Sequence, residues 1–265
     1  MQSSTNAWGR PQGPLDLDRI HTLSPHETTG AHPVSALAAD IARFFGNLGF
    51  SQVHSPEIED TFHNFDLLGV PADHPTRSPR HTFFLENEGL LRSHATASVL
   101  RVLRRHPAQS VARVLVGGPC HRNTTPGPRF VTQFHQLEAA AVGPAVRLSD
   151  VKGMALALVD ETLGPAAHPR LRYRSLPYVS PGLAVDVNCI PCDGSGCKFC
   201  GYRGYVEVMS GGVLTQEVRK AALIPPESRA ISLAISLERI LALRYGVADI
   251  RPFLSADLRL LSQTY

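Results

Sequence analysis

Four of the five cysteines of this chain lie within twelve residues, in the spacing Cys189-x2-Cys192-x4-Cys197-x2-Cys200. Each C-x2-C turn places two thiolates side by side, which is half of a tetrahedral zinc site, so two adjacent turns supply all four ligands. Disulfides between such near neighbours would close only short loops and would stabilise the fold little. The spacing therefore predicts a structural Zn²⁺ site in a small knuckle at residues 188–204. An iron–sulfur cluster and redox-active or unligated thiols stay open as alternatives.

Length and composition set the scale of the fold around this knuckle. The chain has 265 residues, of which 43% are hydrophobic, and a net charge of only +3. That is enough apolar material for a sizeable core, and the weak charge does not indicate a nucleic-acid-binding surface. No apolar run approaches the roughly 18 residues of a membrane span, and the first residues do not resemble a signal peptide. We expect a soluble, cytoplasmic protein without a membrane partner, with a flexible arm at residues 1–30 and one domain over residues 31–265.

Hydrophobic periodicity predicts an α+β fold. Apolar residues at helical spacing predict helices at 33–48, 96–105, 148–163 and 231–245. Short alternating or apolar runs predict strands at 50–54, 81–85, 111–117, 133–142, 171–178, 184–188 and 205–209. Strands in runs with helices held apart are typical of an antiparallel sheet flanked by helices. The chain has no Gly-rich strand-to-helix turn, which disfavours a P-loop or Rossmann nucleotide site.

One predicted strand carries residues suited to chemistry. Phe134, Gln136 and Glu138 alternate along it and therefore share one face. If the preceding strand pairs back, Arg122 comes near the same face, which suits a ligand with a phosphate, a planar base and an ammonium group. A solvated strand face with a salt bridge is the alternative that these residues alone leave open. Arg239, next to a glutamate in an apolar helix, would by itself more often form a structural ion pair.

Longer segments indicate a family. In chain order they are HPVSALAADIARFFGNLGF (32–50), PEIEDTFHNFDLLGVPADHP (56–75), HTFFLENEGLLRSH (81–94), FHQLEA (134–139), LERILALRYGVADIRPF (237–253) and DLRLL (257–261). Over residues 31–265 the chain resembles the catalytic α subunit of bacterial phenylalanyl-tRNA synthetase, a class II aminoacyl-tRNA synthetase. The resemblance implies the class II antiparallel sheet with the four-cysteine knuckle inserted. It also implies a homodimer that buries an apolar helix face of residues 34–56.

The resemblance assigns the ATP site to four residues. Arg122 matches the arginine that holds the ATP α-phosphate and the substrate carboxylate, and Phe134 matches the aromatic residue that stacks on adenine. Arg239 matches the arginine beside adenine and the γ-phosphate. Glu207 is implied as a ligand of the Mg²⁺ that accompanies ATP. The implied reaction is attack of an amino-acid carboxylate on ATP to give an acyl-adenylate, with Arg122 and Arg239 as the catalytic residues.

The resemblance also assigns the amino-acid site. Gln136 and Glu138 match residues that hold the α-amino group, with His94 and Thr96 beside it. The side-chain pocket would be formed by four residues that all depart from the family: Phe84, Leu176, Tyr178 and Ser232. Phe84 stands where the family has a tryptophan. Leu176-Pro177-Tyr178 stands where the family has F-P-F, and Ser232 lies in a segment where the family has G-F-A-F-G-x-G. These polar and bulkier residues favour an amino acid other than phenylalanine, either smaller or more polar.

Three functions are compatible with this pattern. The first is a stand-alone ligase that passes the activated amino acid to a carrier protein or a small-molecule amine, because few residues precede the domain where the family has a coiled-coil arm that reaches tRNA. The second is a non-catalytic paralogue that senses an amino acid or regulates another enzyme. The third is an ordinary phenylalanyl-tRNA synthetase α subunit that works with a β chain and tRNA. We expect the first, because Arg122, Phe134, Gln136, Glu138 and Arg239 are all present.

Overall fold

The computed structural model describes residues 31–86, 89–105, 111–255 and 261. The helices are α1 (Pro33–Asn47), α2 (Thr61–Asn64), α3 (Thr96–Arg105), α4 (Leu148–Leu163), α5 (Gln216–Ala221) and α6 (Leu237–Arg244). The strands are β1 (Ser51–Val53), β2 (Ile58–Glu59), β3 (Leu90–Leu91), β4 (Ala112–His121), β5 (Gln133–Gly143), β6 (Pro169–Tyr173), β7 (Val179–Asn188), β8 (Tyr205–Leu214) and β9 (Arg229–Ser236). The arm predicted for residues 1–30 lies outside the described residues, as does most of the segment DLRLL.

Seven strands form one sheet in the order β1-β4-β5-β9-β8-β7-β6. The β1–β4 pair is parallel and every other pair in this sheet is antiparallel. The strands β2 and β3 form a separate antiparallel pair. The residues that follow Asn188 and precede Tyr205 contain the four cysteines and connect β7 to β8. The α+β antiparallel sheet flanked by helices is therefore confirmed.

The two faces of the sheet are covered unequally. On one face, Ile41 of α1, Leu158 of α4 and Ile240 of α6 join Leu137 and Leu233 of the sheet in one apolar core. On the other face a smaller core lies beneath α3 and α5. It covers the part of β5 that follows Glu138 and leaves the part near Phe134 half-buried. This second face is called the site face below, and its uncovered end near Phe134 is where a ligand can reach the sheet.

The helix α1 follows from its sequence. Pro33 occupies its first turn and the His32 side chain accepts a hydrogen bond from the backbone N–H of Val34. Leu37 and Ile41 are completely buried in the core of the same chain, whereas Phe44 is only partly buried. The helix α6 and the sheet cover Leu37 and Ile41, and the homodimer predicted through residues 34–56 stays a prediction. No helix in the described part of the chain is both long and apolar enough to cross a membrane.

The helices predicted at 96–105 and 148–163 are confirmed as α3 and α4, whereas the helix predicted at 231–245 is wrong over its first six residues. These residues belong to β9, and the helix α6 begins only at Leu237. Ile231 and Leu233 point into the larger core while Ser232 and Ala234 lie on the site face, which is the two-residue period of a strand. Because the residues on both faces are small or apolar, the segment also fits a helical pattern.

Two smaller differences concern strands. The strand predicted at 81–85 is reduced to a single bridge between Phe84 and Leu90. The strands predicted at 171–178 and 184–188 are in fact β6 and the longer β7, and the chain between them turns back after Tyr173. This turn lets alternate side chains of β6 and β7 face each other across the pair.

Candidate active site

A cation and an aromatic ring lie together where β4 ends and β5 begins. Cys120 and Phe134 are directly paired across these strands, so Arg122 follows β4 close to Phe134. The Arg122 guanidinium lies 5.0 Å from the centroid of the Phe134 ring, and its Nε donates to the carbonyl of Ser93 at 2.9 Å. Burial lowers the pKa of Arg122, although the residue keeps accessible surface. Arg122 thus lies in a recess that is open to solvent.

A second arginine approaches the same recess from α6. Arg239 Nη1 donates to the backbone carbonyl of Glu207 at 2.9 Å, and its guanidinium lies 5.8 Å from the centroid of the Phe130 ring. The pKa of Arg239 is lowered to about 10 by burial and by the nearby charges of Arg122 and Arg129, while Glu207 opposes the shift. The positive charges of Arg122 and Arg129 therefore repel that of Arg239 at this end of the site face. Their mutual repulsion favours a polyanionic ligand, because such a ligand would relieve it.

The carboxylate of Glu207 already has arginine partners. Its Oε2 accepts from Arg172 Nη2 at 2.7 Å, and its Oε1 lies 4.0 Å from Arg174 Nη2. Hydrogen bonds to Asp186 and Glu207 raise the pKa of Arg172. Carboxylate oxygens are the donor type that Mg²⁺ prefers, so Glu207 fits the ion in chemistry. Glu207 would hold the ion with oxygens that Arg172 and Arg174 also approach.

Further along the site face, Glu138 is completely buried. Its Oε2 accepts from the Thr96 hydroxyl at 2.7 Å, while its Oε1 has no hydrogen-bond partner among the described residues. Burial raises the pKa of Glu138 to about 7, and contacts with Thr96 and Ser232 work against this rise. The hydroxyl of Ser232 also lacks a partner of normal geometry within the described chain. A buried acceptor left without a donor is costly, so Oε1 is suited to a ligand that brings one, such as an ammonium group.

Gln136 and His94 are held in fixed orientations between the two ends. Gln136 Oε1 accepts from the backbone N–H of Ala95 at 2.9 Å, which turns its amide N–H groups to the opposite side. The backbone N–H of Ala97 donates to Nδ1 of His94 at 3.4 Å. Burial, reinforced by Arg122, lowers the pKa of His94 to about 3. His94 is therefore a neutral imidazole at physiological pH.

The four residues predicted for the side-chain pocket do not all come together. Burial raises the pKa of Tyr178, whose hydroxyl interacts with Thr96 and lies near Glu138. Leu176 and Tyr178 pack against the core beneath α3. Phe84 instead keeps 40% of its surface exposed, in its single bridge to Leu90. The structure thus brings Tyr178 and Ser232 to Glu138 and leaves Phe84 at the surface.

The four knuckle thiols have the spacing of a single tetrahedral ion. Cys189 and Cys197 sulfurs lie 3.8 Å apart, Cys192 and Cys200 sulfurs 4.0 Å apart, and all four lie within 4.8 Å of one another. Metal–sulfur bonds of about 2.3 Å place the sulfurs of a tetrahedron about 3.8 Å apart. The backbone N–H groups of Gly196 and Cys197 donate to the sulfurs of Cys192 and Cys200 at 3.3 and 3.1 Å. The cluster fits one metal ion and is too tight for a polynuclear iron–sulfur cluster.

Two groups of residues at this site were missed by sequence reasoning. Arg172 and Arg174 share one face of β6 and its extension, a signal that the alternation in R-L-R-Y-R could have provided. Arg129 and Phe130 lie in the β4–β5 connection, where their guanidinium and ring are 4.6 Å apart. No periodicity operates in a loop, so the sequence offered no signal that either residue approaches Arg239.

Comparison with known proteins identifies the family. Residues 17–264 match the family model of the tRNA synthetases class II core domain (F). The phenylalanine–tRNA ligase alpha subunit of Geobacter sulfurreducens is 32% identical over 94% of this chain and 74% of that relative. The alpha subunit of the same ligase from Methylococcus capsulatus is 37% identical over 88% of this chain and 68% of that relative. The alpha subunit from Lactobacillus delbrueckii is 33% identical over 94% of this chain and 73% of that relative. The chain therefore belongs to the class II aminoacyl-tRNA synthetase family, as the resemblance of its motifs had predicted.

Proposed function

We propose that this protein is a ligase that uses ATP to activate an α-amino acid as its aminoacyl-adenylate and then transfers the aminoacyl group to tRNA. One observation carries the first step. Arg122 and Arg239 lie beside aromatic rings at one end of the site face, and at the other end Glu138 has a buried oxygen without a hydrogen-bond partner among the described residues. This arrangement suits a triphosphate and an ammonium group held a short distance apart.

The geometry supports a reaction by positioning. The Phe134 ring would stack on adenine, Arg122 would hold the α-phosphate and the amino-acid carboxylate, and Arg239 would hold the outer phosphates. Glu138 would hold the ammonium group and so direct the carboxylate towards phosphorus. A carboxylate oxygen then forms the new bond to the α-phosphorus, and the bond from that phosphorus to the bridging oxygen breaks and releases pyrophosphate. The arginines stabilise the charge that develops, and Glu207 would hold the Mg²⁺ that neutralises the departing pyrophosphate.

The relatives favour one of the acceptors. They are phenylalanine–tRNA ligase alpha subunits, which supports a tRNA acceptor and a cytoplasmic location for this protein. The carrier protein or small-molecule amine expected from the sequence receives no such support. A non-catalytic sensor is disfavoured because it would not need both phosphate-facing arginines. The words "alpha subunit" in the same name support a partner chain of a second kind rather than the expected homodimer.

Phenylalanine is the amino acid that the relatives' name favours. A second candidate, a smaller or more polar amino acid, is favoured by the unpartnered Ser232 hydroxyl and by the Tyr178 hydroxyl near Glu138. A substrate that leaves buried polar groups unpaired binds less well than one that satisfies them. The choice between the two candidates therefore depends on how many of these hydroxyls face the bound side chain.

For the knuckle we propose Zn²⁺ bound by Cys189, Cys192, Cys197 and Cys200 in a structural role. Four thiolates at tetrahedral spacing are the donor set that Zn²⁺ prefers, and they leave no coordination position for a substrate. Metal analysis of the purified protein should give one zinc per chain. Iron in place of zinc, or no metal in a folded protein, would contradict this assignment.

ATP–pyrophosphate exchange with each of the twenty amino acids tests the proposed function. We expect exchange with one amino acid well above the others, and aminoacylation of tRNA by the same amino acid when a partner chain from the same cell is supplied. Strongest exchange with phenylalanine would decide for the first candidate. No exchange with any amino acid, with or without the partner chain, would reject the proposal and favour a sensor.

A further inference from the structure

The connection between β4 and β5, residues 122–132, reaches the four-cysteine knuckle. The guanidinium of Arg129 lies directly over Gly201, where a Cβ atom would stand only 2.4 Å from Arg129 Nη1. Gly201 follows Cys200, so the guanidinium lies one residue from a metal ligand. The carbonyl of Pro128 accepts from the backbone N–H of Ile250 at 3.0 Å, which holds the same connection from the other side.

Arg129 also belongs to the arginine end of the site face. Its guanidinium lies 4.6 Å from the centroid of the Phe130 ring, and the guanidinium of Arg239 lies 5.8 Å from the same centroid. One ring thus has two arginines within cation–π range. The charge of Arg129 lowers the pKa of Arg239, which agrees with the short separation of the two groups. Arg129 therefore joins the knuckle to the place where phosphates are expected.

Charge explains why the knuckle would hold this arginine. Four thiolates around one divalent ion carry a net charge of −2, and a bound ion is the largest local charge in its surroundings. A guanidinium packed over Gly201 is attracted by that charge. Only glycine allows the approach, because any side chain at position 201 would occupy the space of the guanidinium.

We propose that Arg129 is a third phosphate-binding arginine of the nucleotide site and that the metal-loaded four-cysteine knuckle holds it in place. Metal occupancy and ATP binding are then coupled, although the metal touches neither substrate. This inference rests on the proposed function, since it requires that the recess bind ATP. It adds that the knuckle is part of the nucleotide site as well as of the fold.

A matched pair of glycine substitutions tests the coupling without removing a cysteine. Gly201→Ala places a methyl group in the space of the Arg129 guanidinium, at a φ of +62°. Gly194→Ala is the control, because Gly194 lies in the same knuckle with a φ of +73° and has nothing within 4 Å of an added Cβ. Both changes introduce similar backbone strain, but only Gly201→Ala displaces Arg129. Arg129→Ala removes the guanidinium itself.

The measurements are the zinc content, the Kd for ATP by equilibrium dialysis, and amide hydrogen exchange over residues 122–132. We expect one zinc per chain in both glycine variants, with ATP bound about fivefold more weakly by Gly201→Ala than by Gly194→Ala and about tenfold more weakly by Arg129→Ala than by the wild type. Gly201→Ala should also speed exchange in the connection, as should removal of zinc from the wild type.

The outcomes separate this inference from the function on which it rests. A zinc-loaded Gly201→Ala protein that binds ATP as tightly as Gly194→Ala and exchanges at the same rate would overturn the coupling alone. An Arg129→Ala protein with unchanged ATP affinity would overturn the role in phosphate binding. If the zinc-loaded wild type fails to bind ATP, both the proposed function and the phosphate-binding role of Arg129 are rejected. The amide hydrogen exchange of residues 122–132 would still decide whether the knuckle holds this connection in place.

Discussion

The two ends of the site face bind charge in opposite ways. At the arginine end, Arg122 and Arg239 keep accessible surface and stay cationic throughout the physiological pH range. At the other end, Glu138 is completely buried, and its charge depends on pH because burial raises its pKa to about 7. A ligand with separate negative and positive ends is therefore oriented by the site before any reaction. The same comparison indicates that pH should act on the amino acid and not on ATP.

The largest effect is expected from breaking the arginine end. Arg239→Ala removes a positive charge that would stabilise the negative charge developing on the departing pyrophosphate, so we expect ATP–pyrophosphate exchange to fall by roughly 100- to 1000-fold. Arg229→Ala is the matched control, because Arg229 lies exposed at the opposite end of the segment formed by β9 and α6. Exchange by Arg239→Ala within threefold of the control would show that phosphate binding does not depend on this arginine.

The buried carboxylate of Glu138 should lower the free energy of unfolding when no substrate is bound. Because the pKa of Glu138 is raised in the folded protein, the native state binds more protons than the unfolded chain between about pH 4.5 and 7. Glu138 therefore contributes to the free energy of unfolding at low pH, and this contribution is lost as the pH rises through 7. Glu138→Gln should be more stable than the wild type at pH 8, by up to about 3 kcal/mol. The difference should disappear near pH 4.5. Urea unfolding at both pH values measures it, and a Glu138→Gln protein that is less stable at pH 8 would contradict the argument.

The same titration should control the affinity for the amino acid. Protonation of Glu138 removes the charge that attracts the ammonium group, so below pH 7 the KM for the amino acid should rise by about tenfold for each pH unit. The KM for ATP should stay constant over the same range, because Arg122 and Arg239 remain charged. Exchange assays from pH 5.5 to 8.5 measure both constants. In Glu138→Gln the pH dependence of the amino-acid KM should be absent, and its persistence would place the titrating group elsewhere.

The difference between the two ends also shows what a sequence can predict. The spacing of the four cysteines predicted a cluster that the structure forms, because ligand spacing on two tight turns is a local property. The helix α3 was predicted with its observed bounds from its apolar pattern and from the proline that follows at position 107. The ion pair of Glu207 with Arg172 was not predicted, because it joins residues on different strands whose register only the folded sheet determines. The contact of Arg129 with Gly201 was missed for the same reason.

The environment of the Glu138 carboxylate and the Ser232 hydroxyl could not be predicted either. The strand face containing Glu138 is visible in the sequence. The burial of Glu138 and Ser232, and their lack of hydrogen-bond partners among the described residues, follow from how β5, β9 and α3 pack. The error at β9 is instructive in the same way. Ser232 was assigned to a helix, and only the pairing of β9 with β5 places this hydroxyl on the same sheet face as Glu138.

The smallest effect concerns the choice of amino acid at the end of the site face that contains Glu138. Tyr178→Phe removes a buried hydroxyl that interacts with Thr96, and so removes a polar group that a phenyl side chain would leave poorly paired. We expect the ratio of kcat/KM for phenylalanine to that for a more polar amino acid to rise by roughly three- to tenfold. Tyr173→Phe on β6 is the control, because that tyrosine is 75% exposed and its hydroxyl already reaches solvent. Tyr178→Phe could instead lower kcat/KM equally for phenylalanine and for the more polar amino acid, so that their ratio stays unchanged. In that case the Tyr178 hydroxyl supports the fold and does not face the bound side chain, and the proposal of a more polar substrate loses its main support.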